Sequence, residues 1–185
     1  EKYDDIALVH CYCRHEKDLL EEPCEVTDLR ENCFLFGKTA KFAVEQDFGR
    51  SISKEEAKKI IRTSEKDGLV HKIFHVHLDV EREEEALCNC CKCCCGLFQM
   101  YYRGIMPYHT YTSYIPELHE DDCIGCGTCV QMCPMEALEL EDAVAVLNED
   151  KCIGCSVCVH NCPEEAITLN RTGLRKVFVP PPKKN

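Results

Sequence analysis

The opening of the chain carries a short apolar run followed by a longer stretch with helical periodicity. Residues 6–10 are largely apolar and predict a β-strand. From residue 28 to residue 44, apolar side chains recur every three or four positions, which favours an amphipathic helix. Asp28 fits the N-cap of this helix, with Glu31 three residues later, and Gly49 supplies a stop signal.

A second helix and a second strand are predicted next. Ser53 and Glu56 form a capping box in front of a stretch whose apolar stripe ends before Gly68. Residues 70–78 alternate between two sets of side chains, as a strand does. Two helices followed by a strand resemble a winged-helix unit, so we expect a mainly helical, winged-helix-like N-terminal domain.

Cysteine content narrows the class of protein. Cysteine occupies 18 of the 185 positions, which leaves a disulfide-stapled secreted scaffold or a metal protein. Acidic residues outnumber basic residues by 33 to 22, and the formal net charge is −11. Because nucleic acid or an anionic membrane would repel such a chain, we expect no nucleic-acid partner. No apolar run approaches the roughly 20 residues that cross a bilayer, so we expect no membrane span.

Eight cysteines form two copies of the pattern C-x-x-C-x-x-C-x-x-x-C-P. The copies are 29 residues apart and comprise Cys123, Cys126, Cys129 and Cys133, then Cys152, Cys155, Cys158 and Cys162. Cysteines three apart on a loop bring several thiolates to one centre, as a metal cluster requires. Gly125, Gly127 and Gly154 allow the positive φ and close backbone approach that wrapping a cluster needs, and Ser156 stands at the position equivalent to Gly127.

Residues 120–172, which carry both copies, resemble the two-cluster bacterial-type ferredoxins. The resemblance implies a small pseudo-twofold β/α domain that transfers single electrons at low potential. It also implies crossed ligation, in which three cysteines of one copy and the fourth of the other bind each [4Fe–4S] cluster. Cluster I would use Cys123, Cys126, Cys129 and Cys162, and cluster II would use Cys152, Cys155, Cys158 and Cys133.

Four more cysteines are spread through the first third of the chain: Cys11, Cys13, Cys24 and Cys33. The first three lie among polar neighbours, which favours a metal site, whereas Cys33 also fits a small core residue on an apolar helix face. We expect an iron–sulfur cluster here, because the chain already carries cluster motifs. Zinc is the alternative, bound by four cysteines or by three cysteines and His15.

Six cysteines crowd into one segment, at positions Cys88, Cys90, Cys91, Cys93, Cys94 and Cys95. Neighbouring side chains point to opposite faces of a strand and lie about 100° apart on a helix, so no single four-coordinate site can use all six. In a helix, Cys88, Cys91 and Cys95 would share one face. Two sites that share the segment, or one site with spare thiols, remain open. We expect at least one cluster, alone or jointly with the first group.

The motifs Cys-Tyr-Cys-Arg, Asn-Cys-Phe-Leu-Phe-Gly and Gly-Leu-Val-His, followed by the cysteine-rich segment and a ferredoxin, are similar to multi-cluster ferredoxin-like proteins of anaerobic bacteria and archaea. This resemblance implies one or two additional [4Fe–4S] clusters in the N-terminal half. We expect an α+β chain with a cysteine-rich domain at 1–100, a Tyr/Pro linker at 101–119, the ferredoxin domain at 120–172 and an extended tail at 173–185.

Three functions are compatible with these features. The first is a low-potential one-electron relay that acts as a subunit or docking partner of a larger anaerobic oxidoreductase. Because the chain has no dinucleotide or P-loop fingerprint and no flavin signature, a flavin- or metal-containing partner must supply the two-electron centre. The second is a reductase subunit whose N-terminal cluster performs thiol or disulfide chemistry. The third, a DNA-binding redox sensor, is opposed by the net charge.

The compartment follows from the same chemistry. Persistent thiolates and low-potential clusters need reducing conditions, so we expect the cytoplasm of an anaerobe. The first residue is Glu1 rather than Met, so the chain is processed or a preceding segment is missing, and a lost targeting sequence is compatible with this start.

Overall fold

The chain divides into two units between Cys95 and Gly96, slightly before the boundary expected at residue 100. We call them the N-terminal unit and the C-terminal unit. The computed structural model describes residues 2–79 and 81–183. The last two residues of the expected tail lie outside the described range.

In its described part, the N-terminal unit combines one antiparallel sheet with three helices. The strands are β1 (Ile6–His10), β2 (Glu31–Phe36), β3 (Gly49–Ser51), β4 (Val70–His75) and β5 (Glu84–Cys90), and the helices are α1 (Tyr12–Leu19), α2 (Gly37–Glu45) and α3 (Lys54–Lys66). The sheet order is β3-β1-β2-β5-β4, and each neighbouring pair is antiparallel. The two strands of this sheet that contain cysteine, β2 with Cys33 and β5 with Cys88 and Cys90, are therefore neighbours.

The sheet of this unit carries helices on both faces. Leu8 and Phe34 are each 1% exposed and pack with Ala57 of α3 in one core cluster. Ala7 points the other way along β1 and packs with Ala40 and Ala43 of α2. Burial on both faces explains why the central strands show continuous apolar runs rather than a clean alternation.

The helix expected from residue 28 to residue 44 is present only in its second half. Residues 31–36 form the central strand β2, and α2 begins at Gly37. The helical spacing of Leu29, Cys33 and Phe36 was misleading because a strand buried on both faces also lacks a period of two. Phe34 lies in the core between β1 and α3.

The expected winged-helix arrangement is also not what the structure shows. Strand β3 lies between α2 and α3 and pairs with β1 at the sheet edge, so the two helices do not form a helix-turn-helix. The unit is built on its sheet rather than being mainly helical. Helix α3 does begin as predicted, since Ser53 accepts a hydrogen bond from the Glu56 backbone at 3.1 Å. Strand β4 ends at His75, and Val76–Leu78 forms a 3-10 turn.

The C-terminal unit contains two antiparallel strand pairs and short helices. Its helices are α4 (Gly96–Tyr102), α5 (Thr128–Met132) and α6 (Val157–His160), and its strands are β6 (Tyr108–Leu118), β7 (Leu138–Glu141), β8 (Val144–Leu147) and β9 (Ile167–Val179). Strand β6 pairs with β9, and β7 pairs with β8. A 3-10 turn at Glu120–Asp122 precedes the first cysteine of the repeat.

Residues 108–118 and 173–179 differ from the expected linker and tail, because they belong to one long ladder. Tyr108 pairs with Val179 at one end of β6, and Leu118 pairs with Ile167 at the other. Tyr108, Val177 and Val179 are buried. The tyrosine-rich stretch is therefore a strand of the C-terminal unit, and the tail is its partner.

The described helices are all too short or too polar to cross a membrane.

Candidate metal centres

The two cysteine repeats share one backbone conformation at the start of their helices. Helix α5 follows Gly127, whose φ is 73°, and α6 follows Ser156, whose φ is 61°. Both residues are left-handed, a conformation that a non-glycine residue seldom adopts. The substitution of serine for glycine in the second copy therefore leaves the loop geometry unchanged.

Two glycines in these loops have no room for a side chain. A Cβ on Gly125 would lie 2.4 Å from the Ala143 carbonyl oxygen, and one on Gly154 would lie 2.3 Å from the Tyr114 carbonyl oxygen. Both glycines also have positive φ. The loops can thus press against the neighbouring backbone only with glycine at these positions.

The eight repeat cysteines line two separate apolar cavities. One cavity, of about 410 Å³ measured out to its solvent-open mouth, is lined by four of them: Cys123, Cys126, Cys129 and Cys162. The other, of about 350 Å³ measured the same way, is lined by Cys133, Cys152, Cys155 and Cys158. Each cavity takes three thiols from one repeat and the fourth from the other.

Backbone donors and burial both act on these thiols. The Ala137 amide donates to Cys133 Sγ at 3.3 Å, and the Gly154 amide donates to Cys152 Sγ at 3.4 Å. Burial raises the pKa of Cys155 to about 12 and raises the pKa of Cys158 as well. A thiol buried in apolar surroundings ionises only when a cation is nearby, so these cavities suit a centre that brings its own positive charge.

In the N-terminal unit, four thiols from two distant segments lie together. We call them the four-thiol group: Cys24, Cys91, Cys93 and Cys94, whose Sγ atoms all lie within 4.8 Å of one another. Cys24 lies in the loop after α1, and the others lie in the turn after β5. Cys24 Sγ is 3.7 Å from Cys91 Sγ and 3.6 Å from Cys93 Sγ, and Cys93 Sγ is 3.5 Å from Cys94 Sγ.

These sulfur separations fit a single tetrahedral ion. With zinc–sulfur bonds of about 2.3 Å, the sulfurs of a tetrahedral site lie about 3.8 Å apart. The four ligands of a [4Fe–4S] cube bind four different irons and stand farther apart. Among residues 2–79 and 81–183, no other set of three or more His, Cys, Asp or Glu side chains has its ligand atoms this close together. His15 is exposed and lies outside the group, so the geometry favours four cysteines over three cysteines and a histidine.

A buried arginine lies against the four-thiol group. The Arg14 side chain is 0% exposed and donates to Asn32 Oδ1 at 2.9 Å and to the Asn89 carbonyl at 3.1 Å. These two acceptors are neutral, while the thiols of Cys24 and Cys91 are close enough to raise the pKa of Arg14 against the opposing effect of burial. A buried guanidinium needs a negative partner, and thiolates can supply it.

The same arginine favours the ionised form of Cys24. Burial opposes ionisation of this thiol, but backbone hydrogen bonds from Val26 and Thr27 and the Arg14 guanidinium together lower the pKa of Cys24 to about 6. A thiolate is the form that binds a metal ion. The loop after α1 thus presents a ligand that is ready to bind.

Five further thiols of the N-terminal unit form a second cluster on β2, β5 and their flanks. We call them the five-thiol group: Cys11, Cys33, Cys88, Cys90 and Cys95. The Cys33 thiol lies near the thiols of Cys11 and Cys88, and the Cys90 thiol lies near those of Cys88 and Cys95. All except Cys88 are buried.

The six-cysteine segment is divided between the two groups by its backbone. It is a strand as far as Cys90 and a turn from Cys91 onward, not a helix, so Cys88, Cys91 and Cys95 do not share a helix face. Strand alternation points Cys88 and Cys90 to one face and Asn89 to the other. Cys13 lies in the first turn of α1 and belongs to neither group as defined by these contacts.

Two cationic side chains, which the search of the sequence for metal ligands did not identify, lie near the cysteine groups of the N-terminal unit. Arg14 lies by the four-thiol group, and Lys72 pairs across the ladder with Cys88. Burial lowers the pKa of Lys72, while the thiolates of Cys90, Cys95 and Cys88 act to raise it. The one sequence signal for either cation is the position of Arg14 directly after the Cys-x-Cys motif.

Comparison with known proteins agrees with the geometry of the C-terminal unit. A family model described as a 4Fe-4S dicluster domain matches residues 116–169. Ferredoxin-2 of Desulfomicrobium norvegicum is 58% identical over 26 residues, which are 14% of this chain and 44% of that ferredoxin. The chain therefore aligns with less than half the length of that relative. The C-terminal unit contains a ferredoxin-like 4Fe-4S domain, and this supports an iron–sulfur electron-transfer role.

Proposed function

We propose that this protein is a low-potential one-electron relay with two [4Fe–4S] clusters in its C-terminal unit. The observation that carries the proposal is the division of eight cysteines between two cavities in the crossed pattern of a two-cluster ferredoxin. Cluster I is assigned to Cys123, Cys126, Cys129 and Cys162, and cluster II to Cys152, Cys155, Cys158 and Cys133. When bound, each cluster accepts and releases one electron without making or breaking a covalent bond to substrate.

The protein around the cavities does three things for such clusters. Cys129 and Cys158 pack in the same core with Ala145, which holds the two repeats against each other. Amide donors to Cys133 and Cys152 stabilise thiolate charge, which tunes the potential of a bound cluster. All four ligands in each set are cysteine, so no iron is left open to substrate.

The partner is proposed to be a flavin- or metal-containing oxidoreductase. The relay passes single electrons, whereas the two-electron chemistry of substrates needs a centre for which this chain has no fingerprint. The proposed setting is the cytoplasm of an anaerobe, because oxygen damages low-potential clusters and oxidises exposed thiols.

We also propose that the four-thiol group binds one zinc ion. The sulfur separations of 3.5–3.7 Å support zinc over a cube, and Arg14 offsets part of the charge of four thiolates. The ion would tie the loop after α1 to the turn after β5, and its role would be structural.

The decisive experiment is a redox titration of anaerobically purified protein followed by electron spin resonance. We expect reversible one-electron signals from two clusters and about eight iron atoms in the C-terminal unit. The variants Cys126→Ser and Cys155→Ser should each perturb a different one of the two signals. Thr128→Val, which replaces the hydroxyl next to Cys126 by a methyl group, is the control and should keep both clusters. A protein without any reversible signal would not be a relay.

A further inference from the structure

The five-thiol group is a site of its own, distinct from the four-thiol group. Strand register brings its central members together: Val9 of β1 pairs with Cys33, and Phe34 pairs with Leu87, which puts Cys33 opposite Cys88. Side chains directly opposite on neighbouring strands share a face. Cys90 lies two residues beyond Cys88 and therefore on that face as well.

The remaining two members, Cys11 and Cys95, come from the segments that follow β1 and β5. Cys11 directly follows β1 and precedes α1, and its thiol lies near that of Cys33. Cys95 ends the turn after β5, where its amide donates to the Cys91 carbonyl at 3.1 Å, and its thiol reaches back to Cys90. Segments separated by up to 84 residues of sequence thus bring thiols to one place.

We propose that this five-thiol group binds a polynuclear iron–sulfur cluster, a third cluster in addition to the two of the C-terminal unit. It deepens the electron-transfer function proposed above by adding a redox centre to the N-terminal unit. Four of the five thiols lose their protons on binding and become the ligands, and the fifth remains a thiol beside the cluster.

The spread of the thiols supports a cluster rather than a single ion. The strand register spreads Cys33, Cys88 and Cys90 over one face, with Cys11 near Cys33 and Cys95 near Cys90, and the five thiols are not all within 4.8 Å of one another as the four-thiol group is. Positions two apart on a strand are about 6.7 Å apart along the backbone, which leaves room for several irons between the sulfurs. The four-thiol group next to it offers no such room.

The charge of the surroundings supports the same assignment. Lys72 faces Cys88 across the ladder and brings a cation to the face that carries the thiols. Five neutral cysteines packed as core residues would need no such charge. A cluster with four thiolate ligands is an anion, so Lys72 would stabilise it and favour its reduced form.

The test begins with iron, acid-labile sulfide and zinc per chain in the full-length protein purified without oxygen. We expect about twelve iron and about twelve sulfide, four for each of three clusters. Eight of each, with reversible ferredoxin signals intact, would overturn the third cluster and leave the proposed relay standing. Fewer than eight with no reversible signal would overturn the relay itself.

Variants then assign the iron to residues. The double variant Cys33→Ser/Cys88→Ser should lose about four iron and keep the other eight with both ferredoxin signals. The matched variant Cys93→Ser/Cys94→Ser removes two members of the neighbouring group and should keep all the iron while losing zinc. Loss of iron from the second variant but not from the first would overturn the assignment.

A substitution that removes no ligand keeps the inference testable if the cysteine variants do not fold. Lys72→Met should retain the third cluster and lower its midpoint potential, since the reduced form loses a nearby positive charge. Lys66→Met, at an exposed position near the end of α3, is the control and should leave all potentials unchanged. An unchanged potential in Lys72→Met would show that no redox centre lies on this face.

Discussion

At the scale of single residues, the cluster loops depend on where a side chain is sterically forbidden. Gly125 and Gly127 are two residues apart and both left-handed, but their surroundings differ. A Cβ on Gly125 would meet the Ala143 carbonyl oxygen at 2.4 Å, whereas a Cβ on Gly127 would meet only the Leu140 side chain, at 3.5 Å. The same loop therefore contains one position that tolerates alanine and one that does not.

We predict that Gly125→Ala disrupts the first cluster and that Gly127→Ala does not. Gly127→Ala should cost about 1 kcal/mol of stability for the left-handed backbone alone. Gly125→Ala adds a clash with backbone that cannot move away cheaply. Iron content and the two spin-resonance signals should separate the variants, and equal losses in both would contradict the steric argument.

The charge of Arg14 is the second residue-scale feature. We predict that Arg14→Gln weakens zinc binding at the four-thiol group by about 10-fold to 100-fold, as loss of a group supporting a metal site commonly does. Competition with a chromophoric chelator measures the change.

Arg30→Gln is the matched control for this substitution. Arg30 forms a partly exposed ion pair with Asp18 at 2.6 Å and lies in the same loop region. Its loss should cost no more than about 1 kcal/mol of stability. Zinc affinity should fall much less than in Arg14→Gln, because Arg30 is paired mainly with Asp18 and interacts only secondarily with Cys24. Equal weakening by both substitutions would mean that Arg14 acts only through the fold.

At the scale of elements, a sequence motif predicted the structure correctly where the interaction behind it lies within a few residues of the chain. The cap of α3 is present because Ser53 accepts a hydrogen bond from the Glu56 amide within one turn, while the Glu56 carboxylate accepts one from Arg50. The strand β2 was mistaken for a helix because its pattern reflects burial between β1, β5 and α3 rather than its own periodicity. Apolar spacing alone does not distinguish a fully buried strand from a helix.

The cap of α3 gives an element-scale prediction. Ser53→Ala should lower the free energy of unfolding of the N-terminal unit by about 1 kcal/mol, because the Glu56 amide loses its acceptor. Ser51→Ala, on the exposed edge strand β3, should change it by less than about 0.5 kcal/mol. Urea unfolding monitored by far-ultraviolet circular dichroism measures both values.

The long β6–β9 ladder gives a second prediction at the scale of elements. Deleting residues 173–185 removes Val177 and Val179, which are buried, and should cost about 1.5–3 kcal/mol for each. It also removes the hydrogen bond from Arg175 to the Cys152 carbonyl at 3.0 Å, so loss of the second cluster should accompany it. Deleting only residues 181–185 should leave thermal stability and iron content as they are. A free tail would give the same result for both deletions.

At the scale of the whole molecule, the division at Cys95 separates two units with their own cores. The ferredoxin motif alone suggested a domain at residues 120–172, yet the ladder adds the whole of β6 and the second half of β9 to it. The pairing partners of that ladder are about fifty to seventy residues apart, and no local pattern indicates them. Tyr102, which also precedes the expected domain, contacts it directly: its hydroxyl donates a hydrogen bond to the Pro134 carbonyl at 2.6 Å.

We therefore predict that a fragment of residues 96–185 folds and binds about eight iron atoms on its own. A fragment of residues 120–172 should bind less iron and unfold at a lower temperature, since it lacks the β6 partner of β9. Metal analysis and thermal unfolding under anaerobic conditions compare the two. Equal behaviour would mean that the ladder contributes nothing to the clusters.

The sequence by itself determined what is local in this protein. The ligand spacing of the two repeats lies within eleven residues each, so the motif alone indicates the clusters and the crossed assignment that the family shares. It also showed that six crowded cysteines could not serve one site, because alternation along a strand is a property of the backbone.

Tertiary structure decided which distant thiols meet. Cys24 joins Cys91 across 67 residues, and Cys33 lies opposite Cys88 only because β2 pairs with β5. Strand pairing is a long-range contact whose register depends on the whole sheet. The spacing of cysteines along the sequence therefore does not predict which of them lie opposite one another. The same holds for the cations Arg14 and Lys72. The effect of a buried charge depends on the groups that surround it in the folded protein, and the sequence does not show which groups those are.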